Sequence, residues 1–346
     1  MTTRLPGDAS ASPRFPDGPD PVEPPRPRRD GRDASGFRGL AARRPAAAFL
    51  VLVFSIGYPL MAVPVLVLHG VVPGEDLLEG LPRDPDELSG LVLTVFALLP
   101  SAVYVTWAAE GREGVRRLFR RAFRWDFGVG WWVFILTAMP ALTVVAGLLL
   151  GDSLRPVHPG AFLLTQAGQL LVNLLLVNLW EETAWAGVLQ TRLERRHNVF
   201  VAALLTAVPF GFAHWPLAFL GEFTATSAVV SLGAYIVLGV LVRPLAGLTM
   251  RGTRDSVLAF ALVHTLFNRT NNPDGIPGTL LDGNGNGYGL VGVVLLLTVT
   301  VALIVRRRLG TAYRSRLDQQ SAASTAGAPV VRSALEQDAA PTRSPH

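Results

Sequence analysis

Apolar runs long enough to cross a bilayer, separated by short clusters of charge, constrain this chain more than any other feature. Eight such segments fall at about residues 46–71, 88–109, 128–150, 161–194, 199–220, 224–248, 253–269 and 288–306. A helical crossing takes roughly 20 apolar residues. The fourth segment is longer than one crossing needs, and the seventh is the shortest and most polar. The expected fold class is all-α, a polytopic membrane protein of about eight transmembrane helices. Charge is scarce to match: 16% of the residues are charged, against about 25% in soluble domains.

Loop charges orient the array. Arg43 and Arg44 precede the first segment, and Arg112, Arg116, Arg117, Arg120, Arg121 and Arg124 follow the second. Arg192, Arg195 and Arg196 follow the fourth, Arg251 and Arg254 the sixth, and Arg306, Arg307 and Arg308 the last. The alternate loops are acidic, with Glu75, Asp76, Glu79, Asp84, Asp86 and Glu87 in the first and Asp274 and Asp282 in the last. Every basic loop falls on one side, which predicts a multi-pass cell-membrane protein with both termini cytoplasmic. Residues 1–44 are rich in Pro, Arg and Asp, lack the apolar core of a signal peptide and read as a disordered tail. Residues 310–346 read the same way, leaving 45–309 as the transmembrane domain.

The chain has no cysteine, which excludes a disulfide framework, Cys-ligated zinc and a thiol nucleophile. It has no lysine either, so all 31 basic residues are arginine. Because those arginines flank apolar runs, the basic balance reads as a topology signal and not as a nucleic-acid surface. The partners expected from this are the lipid bilayer and no nucleic acid.

Ionisable groups inside a span cost on the order of 2.5–3.5 kcal/mol each and are functional candidates by default. The fourth segment carries Glu181 and Glu182, the fifth His214, and the seventh His264 with Asn268 one turn further on the same face. Counting from Arg195, Arg196 and Arg254, Glu181, His214 and His264 lie 14, 18 and 10 residues into the membrane. At 1.5 Å per residue those depths are roughly 21, 27 and 15 Å, close enough for one shared site. A carboxylate can take a proton from water, and a neutral imidazole can hydrogen-bond or ligate a metal. A carboxamide with an imidazole N–H can donate to an oxyanion. The inventory suits amide hydrolysis without a covalent nucleophile. A proton relay in a coupled transporter would use the same groups, but such groups would be spread through all the spans.

The three motifs resemble those of the CAAX-protease and bacteriocin-processing family of intramembrane proteases. That family carries Glu-Glu-x-x-x-Arg, Phe-x-x-x-His and His-x-x-x-Asn on successive helices. Here they read Glu181-Glu182, Phe210 to His214, and His264 to Asn268, within about residues 160–270. Gly187 matches the glycine that follows the first motif. The resemblance implies an endopeptidase acting on peptide or protein substrates at the membrane, lipidated ones among them. Glu181 would activate water with His214, His264 and Asn268 would hold the oxyanion, and Glu182 would support. The family is commonly described as metalloproteases, so Glu181, His214 and His264 could hold zinc or another divalent metal. A metal-free glutamate mechanism uses the same residues, and the lack of a His-Glu-x-x-His helix leans slightly towards it. One departure stands out: the family arginine falls at Ala186. Arg192, further along the helix, is a poor substitute for it. Loss of that guanidinium also leaves open a non-catalytic scaffold. Asp282-Gly283-Asn284-Gly285-Asn286-Gly287 mimics half a calcium loop, but its twelfth position is Val293, so it reads as a turn.

Overall fold

The computed structural model describes residues 36–74, 76, 85–221, 224–283, 291–297 and 300–301. These residues build an all-helical bundle, and the only strand-like pairing among them is an isolated bridge between Leu154 and Leu281. The helices are α1 (Gly36–Arg43), α2 (Pro45–Leu68), α3 (Leu88–Ala122), α4 (Val129–Leu149) and α5 (Pro159–Glu194). After them come α6 (Val199–His214), α7 (Ala225–Gly252), α8 (Val257–Asn271) and the short α9 (Ile276–Leu280). A tight 3-10 turn, Trp215–Phe219, extends α6.

Six of these, α2 to α7, are long and apolar enough to cross a membrane. The expected count of eight is therefore not reached among the described residues. The seventh expected segment is α8, whose 15 residues span only about 22 Å. Of the eighth, 291–297 and 300–301 are helical and the rest lies outside the described residues. The second segment also differs. It runs on as α3 to Ala122 past a kink at Gly111, where φ is +66°, a conformation glycine adopts without steric cost. Most of the expected basic loop is thus helix, and Arg116 and Arg120 project from it into solvent. Within the expected N-terminal tail, α1 packs on α3, stacking Phe37 on Tyr104 and Arg38 over Trp107. Residues 1–35 and 302–346 lie outside the described residues.

The bundle is apolar outside and carries its polar groups within. Leu163, Leu164, Val229, Val230 and Val237 are exposed on the outer surface, whereas Thr94, Thr143, Glu182, Arg243 and Thr265 are buried. That inversion suits a hydrocarbon solvent, which leaves every polar group to be satisfied inside the protein. Two apolar clusters result, one centred on α4, α7 and α8 and the other on α1, α2 and α3. Helix α5 lies between them, giving Leu179 and Ala186 to the first and Trp185, Val188 and Leu189 to the second. Helices α6 and α7 approach most closely where Gly211 faces Ile236 and Gly239 faces Ala207. Small residues let helix backbones meet in this way.

Ion pairs gather one end of the bundle. Arg121 binds Asp255 in the α7–α8 turn, Arg251 binds Glu194, and Arg192 and Arg195 share Glu110. At the opposite end the segment before α5 pairs with the one after α9: Arg155 N–H donates to Leu280 O, and Ser153 binds the Asp282 carboxylate. Asp282, the residue that opens the calcium-like stretch, is thus a cap for Ser153. The charge-rich ends of α3, α5 and α7 lie together, as alternating crossings require.

Candidate active site

Helix α5 is interrupted twice, and the two carboxylates stand between the interruptions. Leu174–Asn178 and Trp185–Gln190 are π-helical, and Leu179–Ala184 between them is α-helical. Wide turns of this kind recur at functional sites because they free carbonyls and rotate the helix face. Side chains claim those carbonyls here. Trp180 Nε1 donates to Leu175 O at 2.7 Å, Thr191 Oγ1 to Ala186 O at 2.7 Å, and Arg121 Nη1 to Gly187 O at 2.9 Å. Glu181 and Glu182, adjacent in sequence, are both buried as a result.

Their partners differ. Glu182 is fully enclosed, and Arg243 from α7 closes on it with a two-pronged contact, Nη1 to Oε2 at 2.9 Å and Nη2 to Oε1 at 2.5 Å. His264 Nδ1 lies 2.6 Å from the same Oε1. A carboxylate held by a guanidinium can only accept, so Nδ1 carries the proton and Nε2 is left facing away from Glu182. Glu181 faces His214, whose Nε2 lies 3.5 Å from Oε1. His214 Nδ1 donates to Phe210 O at 2.8 Å, one turn back on α6, which fixes that ring with Nε2 towards Glu181.

Phe210 organises the centre. Its ring lies 4.3 Å from that of His214 and 6.4 Å from that of His264, and Trp185 meets it edge-on at 5.6 Å. The Arg243 guanidinium sits 4.5 Å above Phe210 and 5.2 Å from Phe260, within the range of cation–π attraction. Those ring faces compensate in part for Nε of Arg243, which has no hydrogen-bond acceptor among the described residues.

The depth argument brought Glu181, His214 and His264 to one level, and the folded chain brings them, with Glu182, into one cluster. Asn268 lies one turn beyond His264 on α8, exposed and without a hydrogen bond among the described residues. Next to it Arg269 is buried and ties α8 to Gln166 of α5 and to Asp274. The sequence reading passed over Arg243. A signal was present, because an arginine in the segment 224–248 meets the same intramembrane rule that singled out the glutamates.

As to a metal, both imidazoles have Nδ1 engaged, His214 by Phe210 O and His264 by Glu182, which leaves Nε2 as the atom that would ligate. No three His, Asp or Glu side chains among the described residues are gathered closely enough to hold an ion, however. As placed, Glu181, His214 and His264 do not form a metal site.

A carboxylate paired with a guanidinium and an imidazole, beside a second carboxylate facing another imidazole, forms one buried polar cluster within the helical bundle. Residues 163–270 match the family described as type II CAAX prenyl endopeptidase Rce1-like. The match covers the helices that carry all three motifs and supports intramembrane protease activity. No curated protein matches the chain.

Proposed function

We propose that the protein is an intramembrane endopeptidase in which Glu181 activates water. The observation that carries this reading is the unequal treatment of the two glutamates. Glu182 is bound closely by Arg243 and His264, whereas Glu181 meets His214 Nε2 at the longer distance of 3.5 Å. Two carboxylates in distinct surroundings take distinct roles.

The chemistry follows from that division. A water donating one hydrogen to Glu181 and the other to His214 Nε2 turns its lone pair outward, towards a peptide carbonyl. As its oxygen bonds to the carbonyl carbon, Glu181 takes a proton and the carbonyl oxygen becomes an oxyanion. Asn268 Nδ2 donates to that oxyanion, joined by His264 through Nε2 when the ring is in its imidazolium form. The C–N bond then breaks, and Glu181 returns its proton to the departing nitrogen. Glu182 and Arg243 touch no reacting atom. The substrate is a peptide or protein presented at the membrane, and the basic end of the bundle is cytoplasmic.

The test uses purified protein in lipid vesicles with a library of membrane-associated peptides, prenylated and not. Cleavage by the wild type that is lost in Glu181→Gln supports the reading, and equal cleavage by both refutes it.

A further inference from the structure

We propose that Arg243 is a positioning residue of this site, supplying from α7 the guanidinium that Glu182 lacks on its own helix. The inference rests on the proteolytic reading for its effect on rate, though not for its effect on His264.

The need for a cation follows from the buried charges. Glu181 and Glu182 are buried neighbours, and two unpartnered carboxylates there would be prohibitive. A partner on α5 itself would stand one turn on, at position 186. Ala186 occupies it, with a fully buried methyl group packed in the same apolar cluster as Val242, Leu245 and Ala246 of α7. The turn of α7 that carries Arg243 thus contributes to the same apolar cluster as Ala186, and Gln190 of α5 ties the two helices together at Arg243 O. Pro244 follows Arg243 within α7 and removes a backbone N–H there. Gln190 of α5 donates to Arg243 O at 3.0 Å, which anchors the backbone of this turn. Both ends of the arginine are therefore held, the carbonyl by Gln190 and the guanidinium by Glu182, Phe210 and Phe260.

The consequence reaches the substrate through His264. A Glu182 carboxylate held at both oxygens presents Oε1 to Nδ1 in one orientation. That keeps an N–H on Nδ1 and holds the ring so that, as the imidazolium, its Nε2–H is presented to the substrate oxyanion. Without the guanidinium, the carboxylate can rotate or take up a proton, and the ring loses its fixed tautomer.

Protein labelled with ¹⁵N in its six histidines, the His264 signals being assigned by their absence from His264→Gln, reports the tautomer with no substrate present. The variants are Arg243→Ala, Arg243→Lys and the exchange Ala186→Arg with Arg243→Ala. Wild type should show a protonated Nδ1 at His264. Arg243→Lys, which keeps the charge and loses the fork, should show tautomer exchange and a kcat about tenfold lower at similar KM. The exchange variant should regain the wild-type His264 spectrum and more activity than Arg243→Ala. A lysine variant with the wild-type spectrum and kcat, together with an exchange variant no better than Arg243→Ala, would overturn the proposal. Should the wild type cleave nothing, the spectra still decide the role of Arg243, so its failure and that of the proteolytic reading are separable.

Discussion

Arg243 and Glu182 lie 61 residues apart in sequence and meet through two hydrogen bonds between α7 and α5, with both side chains wholly enclosed. Breaking such a pair from one side is costly because the remaining charge has nowhere to go, typically about 3–5 kcal/mol. Arg243→Met should therefore unfold at a clearly lower temperature than the wild type in the same detergent. Adding Glu182→Gln to Arg243→Met removes the orphaned charge and should recover part of the loss. An additive double variant would mean the two groups do not interact.

Asn268 gives the opposite signature. It is exposed and makes no hydrogen bond among the described residues, so Asn268→Ala should change stability by no more than about 0.5 kcal/mol. Loss of an oxyanion donor should nevertheless lower kcat by about 100- to 1000-fold. Thermal unfolding and single-turnover cleavage on one preparation separate the two effects.

The α6–α7 contact has no slack. A Cβ on Gly211 would come within 2.9 Å of Ile236 N, and backbone cannot yield as a side chain does. Gly211→Val should destabilise the bundle by about 1–3 kcal/mol through overpacking. It should also lower activity, because α6 carries His214 and α7 carries Arg243. The measurement is residual cleavage after graded heating; a variant as heat-resistant as the wild type would show that the helices can separate here.

Topology can be read directly because the chain contains no cysteine. Arg116→Cys, on the exposed face of α3, should react with an impermeant thiol reagent only from the cytoplasmic side. Leu154→Cys, at the opposite end of the bundle and exposed, should react only from the other. Labelling of both from one side would reverse or dismantle the assigned orientation.

Much of this was legible in the sequence, for reasons that differ by residue. Apolar length alone gave α2 to α7, since crossing hydrocarbon demands length and composition. The Glu181–Glu182, His214 and His264 sites stood out because ionisable groups are so rarely tolerated at that depth. The turn at Gly111 and the helical course of Arg112 to Arg121 were not legible, because a basic amphipathic helix and a basic loop have similar composition. Arg243 was missed since its significance depends on which helix face meets Glu182, which spacing along one chain cannot reveal. Ala186 looked like a missing cation. Its reason became visible only when Arg243 of α7 was seen to pair with Glu182.

The central claim, that Glu181 is the base of a peptide hydrolase, is tested most directly by cleavage in lipid vesicles, comparing wild type with Glu181→Gln. The account predicts that a peptide cut by the wild type is cut at least about 100-fold more slowly by the variant, with unfolding temperature nearly unchanged. Cleavage at the wild-type rate by correctly folded Glu181→Gln would contradict it.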